Sequence, residues 1–264
     1  MKKTALSLIT LLGLTSLATP ARAALVGYYN FDNSANTFED SSGAGNHITG
    51  TVGGTAPTWG SAVGYNGSGA HDYSGGGLSA PVDVSPGVMP QMTWGAWVRT
   101  DTLANGHHQV LSHENGGWDR TLGLSDRPGS PVQYTAFFGS GATGSAAAVS
   151  TTAWSFIATS HNQVTGQVTL YVDLDASTTG DALLEFVTTG ATFGPGNTTT
   201  AIGAFPSGGE SWDGAIDQVF IFNEELSNAQ LTQFRNQGFV IGIPEPSSAL
   251  LAGMALALMH RRRR

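Results

Sequence analysis

The pattern of apolar and polar residues at 211–223 predicts a β-strand near the end of the chain. Successive side chains of a strand point to opposite faces. This rule gives two sets, which are Ala215, Asp217, Val219 and Ile221 on one face and Ile216, Gln218, Phe220 and Phe222 on the other. Because both faces are mostly apolar, we expect an internal strand in a pair of stacked sheets. Asp217 would then be a buried carboxylate, which needs a proton, hydrogen bonds or a cation.

Similar strand-like segments recur along the chain, with glycine- or proline-containing turns between them. The pattern predicts strands at 24–32, 70–84, 91–99, 108–113, 121–125, 132–138, 145–149, 154–161, 167–174, 183–187, 199–205 and 214–223. The long connection at 33–69 should either be functional or contain short strands of its own. Regular short strands of this kind are typical of an antiparallel sandwich.

One short helix is predicted at 228–237, after the last strand. Ser227 suits the N-cap with Gln230 three residues later, Phe234 belongs to an apolar stripe, and Gly238 ends the helix. The chain has 12 Phe, 6 Tyr and 6 Trp residues, which are enough large side chains to fill a core. We therefore predict an all-β protein, a two-sheet antiparallel sandwich with one short helix on its C-terminal side.

The first 23 residues have the composition of a secretory signal peptide. Two lysines precede an apolar run at 4–18, and Ala21-Arg22-Ala23 forms a cleavage site with small residues before Ala24. We therefore expect residues 1–23 to direct export and the folded domain to begin at Ala24.

The C-terminal residues 244–264 resemble the bacterial PEP-CTERM sorting signal. Pro244-Glu245-Pro246 is followed by an apolar run at 249–259 and by four arginines. The resemblance implies processing by an exosortase and transient anchoring in the inner membrane, with the arginines on the cytoplasmic side. The apolar run is shorter than the ~20 residues of a usual membrane-spanning helix, so it would be a marginal permanent anchor. An ordinary C-terminal helix with a basic end is the alternative.

Without these two ends, the body of the chain is strongly acidic. It keeps four arginines, no lysine and up to nineteen acidic residues, which gives a net charge near −15. Nucleic acid binding depends on many Lys and Arg contacts to phosphate, so we expect no nucleic acid partner. Divalent cations suit such a surface better. Since the chain has no cysteine, an exported domain has to rely on its core or on metals.

Six segments, in the same order, resemble the laminin-G-like, concanavalin A-like jelly-roll domains over about residues 25–238. They are 27–32, 40–47, 93–98, 154–158, 167–173 and 212–223. The resemblance implies a jelly-roll domain at 24–240.

The resemblance also implies a structural calcium ion that joins the first and last strands. Related jelly rolls tie these two strands together in this way, and Asp32 and Asp217 match the positions. Calcium accepts carboxylate and backbone oxygens together. Asp40 and Asn46, in the loop after the first strand, are further candidate ligands. For these two residues the alternative is a turn in which the side chains bond nearby backbone amides.

A zinc site is a second metal hypothesis. His107, His108 and His113 with Glu114 supply suitable ligand types, but their spacing on a strand is poor for one tetrahedral centre. A solvated strand edge is the preferred interpretation.

Catalysis has little support in the sequence. Glycoside hydrolysis needs two facing carboxylates, and the chain has no Glu-x-Asp-x-Glu run. The acids at 173–175 suit a hairpin exit, and those at 224–225 suit a helix N-terminus. There is also no cysteine and no Gly-x-Ser-x-Gly nucleophile elbow. We therefore predict no catalytic residue.

The tryptophans raise the question of sugar binding, because flat aromatic rings stack on sugars as well as fill cores. Trp94, Trp97 and Trp154 fall in inner-strand patterns, which favours the core. Trp118 lies in a glycine-containing turn, and it is the predicted ligand-binding residue, since loops carry function more often than scaffold strands.

These features together predict an exported, non-catalytic module of the bacterial cell surface or extracellular matrix. Its expected partner is an extracellular polysaccharide or a cell-surface glycan. A structural envelope protein without a small ligand is the alternative, and a polysaccharide-cleaving enzyme is the third hypothesis. The fold by itself does not name a ligand.

Overall fold

The computed structural model describes residues 24–117, 119–127, 131–174 and 181–237. The predicted signal peptide and the sorting motif Pro244-Glu245-Pro246 lie outside these ranges. In the part of the chain that is described, no helix is both long enough and apolar enough to span a bilayer.

The described ranges contain strands throughout and one α-helix near their end. In chain order they are β1 Leu25–Tyr29, β2 Gly50–Gly53, β3 Thr58–Gly60, β4 Ala70–Ser74, β5 Gly76–Ala80, β6 Gln91–Thr100, β7 His107–Ser112, β8 Thr121–Ser125, β9 Gln133–Phe137, β10 Ala142–Gly144, β11 Ser155–Asn162, β12 Gln167–Asp173, β13 Leu184–Thr188, β14 Thr200–Ile202, β15 Asp213–Phe222 and the helix α1 Asn228–Gln237.

The strands form two antiparallel sheets. The first has the order β13–β12–β11–β6–β15–β4–β3, with β1 also paired to β15. The second has the order β10–β9–β8–β7–β14–β5–β2. This arrangement confirms the predicted all-β class and the two-sheet, jelly-roll type of sandwich with one short helix.

Two apolar clusters stabilise the fold, one between the two sheets and one between the first sheet and the helix. The larger one joins the two sheets and includes Trp94 of β6 and Leu122 of β8. The smaller one includes Phe220 and Phe222 of β15, which pack against Phe234 of α1 with ring centroids 4.5 and 6.0 Å apart. The helix therefore covers the outer face of the first sheet.

The helix begins with the predicted capping interaction. The Ser227 amide donates to Gln230 Oε1 at 2.9 Å, and the Gln230 amide donates to Ser227 Oγ at 3.4 Å. These reciprocal bonds satisfy backbone donors that the first turn leaves without a partner. The bounds of the helix agree with the prediction from the apolar stripe.

Two predicted strands differ from the structure. The segment 70–84 is split at Gly75 into β4 of the first sheet and β5 of the second. Gly75 has φ +149°, a conformation that favours glycine, and the chain changes sheets there. Residues 145–149 are not a strand, because Ala146 has φ +50° and β10 has already ended. The long connection at 33–69 contains two short strands, β2 and β3, as expected.

A bulge corrects the predicted alternation of β15. Its register against β6 shifts between Asp217 and Phe220, and Gln218 has φ +48°. The extra residue puts Val219 with Ile216 in the cluster between the sheets, while Asp217 falls on the opposite side. The prediction that Asp217 and Val219 share a face is therefore wrong. Strict alternation of side chains assumes a regular strand, and an inserted residue reverses the faces of all residues that follow it.

Gly95 lies in the middle of β6, where a side chain has no room. A Cβ would overlap Ile157 O and would lie 2.6 Å from Phe220 Cζ and 2.8 Å from Ala158 Cβ. We expect Gly95→Ala to lower the free energy of unfolding by about 1–3 kcal/mol in urea denaturation. Gly87→Ala is the control, since nothing lies within 4 Å of its added Cβ. Equal effects of the two substitutions would contradict the packing described for β6.

Candidate functional site

Asp217 lies where two strands share one edge of β15. Residues 213–216 pair with β4 and residues 219–222 pair with β1, while β6 occupies the opposite edge. The bulge at Gln218 falls between these two pairings. Because β1 ends and β4 begins at this point, the segments that follow and precede them meet near Asp217.

Two carboxylates bond to the same turn before β4. Asp217 Oδ2 accepts hydrogen bonds from the Tyr65 amide at 2.9 Å and from Ser68 Oγ at 2.6 Å. Asp32 Oδ1 accepts one from the Gly69 amide at 3.0 Å. The structure therefore brings the two predicted calcium ligands to one segment, residues 65–69, although they are far apart in sequence.

The pKa of the Asp217 carboxyl group is unusually high. Burial raises the pKa of Asp217 to about 7, against hydrogen bonds from the Ser68 side chain and from the Tyr65 and Gln218 amides, and the charge of Asp32 raises it further. Asp217 is fully buried, and its Oδ1 receives no hydrogen bond from any described residue. A buried acceptor without a donor is costly. A proton or a cation at Oδ1 would remove that cost.

The residues at this position fit calcium better than zinc. Among the described residues, no group of three or more His, Cys, Asp or Glu side chains is placed to hold a metal. An ion between Asp32 and Asp217 would therefore need backbone carbonyls and water as its other ligands. Calcium accepts such a mixed oxygen set, whereas a structural zinc site uses four Cys or His ligands. Calcium at Asp32 and Asp217 stays a prediction.

Asp40 and Asn46 form hydrogen bonds of the kind expected for a turn, which was the alternative to calcium binding at these residues. Asp40 Oδ1 accepts from the amides of Tyr28 and Ser42, both at 2.9 Å, and its Oδ2 accepts from the Asn46 amide at 2.8 Å. Burial opposes ionisation of Asp40, but these bonds and that of the Ser42 side chain hold its pKa below the usual value. Asn46 Nδ2 donates to Val26 O at 2.7 Å. These contacts define a structural role that needs no ion, and the metal role stays a prediction.

The two histidines of β7 and His113, which follows the strand, do not converge on one centre. His107 Nδ1 lies 2.7 Å from Ser125 Oγ, and His108 Nδ1 lies 3.1 Å from Ser211 O. His113 Nε2 lies 3.1 Å from Asp83 Oδ1.

His113 and Glu114 depart from the expected solvated strand edge, because both are buried. Burial lowers the pKa of His113 to about 4, although the charge of Asp83 opposes the shift. These two residues directly follow β7 and lie in the interior.

Acidic side chains of the described residues have partners within the fold, while Asp175, one of the acids considered for glycoside cleavage, lies outside the described residues. Glu114 and Glu210 both accept hydrogen bonds from Gln109 Nε2. Glu114 is only 3% exposed. Asp173 forms an ion pair with Arg235 at 2.6 Å. These acids therefore have structural partners.

An open pocket of about 400 Å³ is formed by three loops, which follow β7, β9 and β13. Its lining residues are Asn115, Gly117, Asp119, Gly139, Ser140, Thr192, Phe193, Gly194 and Pro195. This volume lies in the range of small-molecule sites. The lining combines polar side chains, one aromatic ring and exposed backbone, which suits a polyhydroxylated ligand.

Hydrogen bonds between the loops hold the pocket in shape. The Thr192 amide donates to Ser140 Oγ at 3.0 Å, and the Ser140 amide donates to Thr192 O at 3.3 Å. Asn115 Nδ2 donates to Gly196 O at 3.0 Å. All three loops are therefore bonded to a neighbour, and the pocket is formed before any ligand arrives.

Trp118, the predicted ligand-binding residue, lies outside the described residues, but its neighbours Gly117 and Asp119 line the pocket. Trp94 and Trp97 are buried, as the inner-strand pattern predicts, whereas Trp154 precedes β11 and is only half-buried.

Asp119, Ser140 and Phe193 line the pocket and were not identified from the sequence. The glycine-containing turns beside them were the available signal. That signal does not say which turns meet.

Comparison with known proteins identifies relatives of the fold. The family described as the concanavalin A-like lectin/glucanases superfamily matches residues 72–232. No curated protein sequence matches the chain. Among solved structures, domain 4 of AbnA, a GH43 extracellular arabinanase from Geobacillus stearothermophilus in complex with arabinotriose, has a TM-score of 0.60 and 20% identity. That match covers 82% of this chain and 100% of the domain.

Binding domains of botulinum neurotoxins are also similar. The binding domain of botulinum neurotoxin DC in complex with SialylT has a TM-score of 0.54 and 12% identity, over 81% of this chain and 50% of that one. The binding domain of serotype D has a TM-score of 0.55 and 12% identity, over 81% and 52%. The chain thus spans about half the length of these toxin domains, and at such identities the similarity shows the fold alone.

The pKa of Asp217 predicts an unusual dependence of stability on pH in the chelated protein. The folded state holds a proton on Asp217 up to about pH 7, while an unfolded chain releases it near the usual value of 3.8. Stability from this group is therefore complete below pH 3.8 and is lost as the pH rises to about 7, by roughly 4 kcal/mol in total. In EDTA, the difference in unfolding free energy between wild type and Asp217→Asn should fall over this range. A constant difference would contradict the shift.

Proposed function

The chain belongs to the concanavalin A-like lectin/glucanases superfamily, and on this basis we propose that it is an exported carbohydrate-binding module without catalytic activity. The expected partner is an extracellular polysaccharide or a cell-surface glycan. The superfamily name covers both binding proteins and enzymes, so the proposal rests on the sites of this chain and not on membership alone.

The observation that carries the proposal is the preformed pocket of the three loops. Its polar side chains and backbone groups can bond sugar hydroxyls, while Phe193 offers an apolar surface to a sugar ring. Because Ser140 and Thr192 already tie two loops together, little ordering is needed on binding.

The ligands of the similar structures agree with this proposal. The arabinanase domain is in complex with arabinotriose, and one toxin domain is in complex with SialylT. These two ligands belong to those proteins, and they support a glycan as the class of partner for this chain.

We propose a structural calcium ion at Asp32 and Asp217. When bound, it would supply positive charge to Asp217 Oδ1, which has no hydrogen-bond donor among the described residues. Both side chains bond to the turn before β4, so the ion would fasten the end of β1 to β15. Its role would be stability rather than direct contact with a sugar.

Export and sorting complete the proposal. Residues 1–23 would direct secretion, and Pro244-Glu245-Pro246 with the apolar run and arginines behind it would be recognised by an exosortase. The tail would anchor the chain in the inner membrane only during processing. The domain would then act at the cell surface or in the extracellular matrix of a bacterium.

A glycan array probed with the purified domain tests the proposed function. We expect calcium-loaded protein to retain at least one neutral glycan, because the pocket offers hydroxyl-bonding groups and an aromatic ring. An assay for newly released reducing ends, with the same glycan in solution, should stay negative. If no glycan is retained in calcium or in EDTA, the structural envelope role replaces glycan binding. Released reducing ends would instead identify an enzyme.

Calorimetric melting tests the calcium proposal. Calcium should raise the unfolding midpoint of the wild type, because an ion that binds only the folded state adds about 2.7 kcal/mol at a hundred times its dissociation constant. Asp32→Asn and Asp217→Asn should lose this response. Asp101→Asn is the control, since the Asp101 side chain is 47% exposed and should leave the response unchanged. An undiminished calcium response in the double variant would place the ion elsewhere.

A further inference from the structure

We propose that the interior of the sandwich binds a small monovalent anion of the chloride class, held by the buried side chain of Arg120 together with Trp94 and His161. The site is distinct from the proposed calcium ligands Asp32 and Asp217. It does not depend on the proposed glycan-binding function. Its role is to balance a positive charge that the fold buries.

Arg120 is a buried cation without an ion-pair partner. It is only 1% exposed, and none of the ion pairs among the described residues includes it. Burial lowers the pKa of Arg120 to about 10, against the charge of Asp83, so the guanidinium stays protonated at neutral pH. Asp83 itself accepts from the Ser85 amide and contacts His113 Nε2. A buried charge without a bonded counter-charge is strongly unfavourable.

The protein uses only part of the Arg120 guanidinium. Nη1 donates to Val84 O and, at 2.7 Å, to Met89 O. These carbonyl oxygens hold the side chain in place but do not neutralise its charge. Nε and Nη2 are buried and have no acceptor among the described residues. The two nitrogens form one edge of the guanidinium, which can bind an anion through two parallel N–H groups.

Two further N–H donors belong to buried rings. His161 is fully buried, and neither of its ring nitrogens has a partner among the described residues. Burial and the charge of Arg120 lower the pKa of His161 well below its usual value, so the neutral ring keeps one N–H. Trp94 Nε1, which can only donate, is also buried without an acceptor from the described residues.

Ring contacts place these donors in one part of the interior. The Arg120 guanidinium lies 5.5 Å from the centroid of the Phe193 ring, and the His161 ring centroid lies 5.7 Å from the same point. The Trp94 ring meets His161 edge-on at 6.3 Å. Arg120, His161 and Trp94 therefore supply four N–H groups that need an acceptor, and one of these residues carries a positive charge.

Burial also decides the class of anion. Arg120, His161 and Trp94 are each at most 1% exposed, so a ligand there has to leave its water shell. Chloride, bromide and other weakly hydrated monovalent anions lose water at a lower cost than doubly charged sulfate. A water molecule can accept from the same N–H groups, but it does not balance the charge of the guanidinium.

Calorimetric melting in different sodium salts can test the anion. Chloride and bromide are titrated against gluconate at constant ionic strength, with EDTA in every buffer so that calcium does not vary. Gluconate is too large for a buried site. We expect either halide to raise the wild-type midpoint above that in gluconate, by about 5–10 °C at a hundred times its dissociation constant. Arg120→Met should lose this response. Arg99→Met, which removes a guanidinium from a side chain that is 27% exposed, should keep it.

Crystals grown in sodium bromide locate the ion. We expect an anomalous peak beside Arg120 Nε and Nη2. A missing peak, or equal midpoints in halide and gluconate at every concentration, would overturn the proposal and leave water as the acceptor. A halide response that survives Arg120→Met would also overturn it.

If Arg120→Met does not fold, Trp94→Phe decides the question together with the bromide position. This variant keeps an aromatic ring and loses the N–H, so it should weaken halide binding by about tenfold or more. An unchanged response in Trp94→Phe would then contradict the proposal. None of these measurements involves a sugar, so their failure leaves the proposed glycan binding untouched.

Discussion

The antiparallel pairing of β1 with β15 is the constraint on which the domain depends, because it joins the two ends of the fold. β6 occupies one edge of β15, so β1 and β4 have to share the other edge. Their pairings stop on either side of Asp217 and Gln218, and the bulge takes up that interval. Asp217 then turns toward the segment 65–69. Asp217 is therefore buried because β1 and β4 close the sheet around it.

The interior of the sandwich also contains charged and ring-nitrogen groups. Arg120 and His161 lie fully inside the sandwich, and several of their nitrogens have no hydrogen-bond acceptor among the described residues. Burial, together with the charge of Arg120, lowers the pKa of His161 well below its usual value, so its ring is neutral. A neutral ring and one guanidinium can both pack against Phe193. The polar interior thus supports the wall of the loop pocket.

The fold was predictable because its signals are local and repeated. The apolar face and capping residues of 228–237 define α1, and the inner-strand tryptophans Trp94 and Trp97 are buried as their pattern indicates. The bulge at Gln218 was not predictable, because one inserted residue leaves the composition of the strand unchanged. The exchange of sheets at Gly75 has the same cause, since the alternation continues across it while the pairing partners change.

The candidate sites differ in the same way, because one follows from the fold and the other depends on which loops meet. Asp32 and Asp217 follow from the resemblance of the first and last strands, whose pairing is a property of the fold. The pocket depends on loops as far apart in sequence as Asn115 and Gly196, and turn composition does not say which loops meet. Nothing in the residue type separates Asp119 from other loop acids until Gly194 is seen to approach it.

Asp217 and Asp119 each have one buried oxygen without a hydrogen bond from any described residue, and their surroundings differ. Asp217 has a second acid nearby, and like charges at one segment favour a shared cation. Asp119 lines a pocket with an amide oxygen, a hydroxyl group and an aromatic ring, which are the groups that bind sugars. A cation needs several oxygens converging on a point, whereas a sugar needs acceptors spread along one side of a ring. The first arrangement therefore suits stabilisation of the fold, and the second suits recognition.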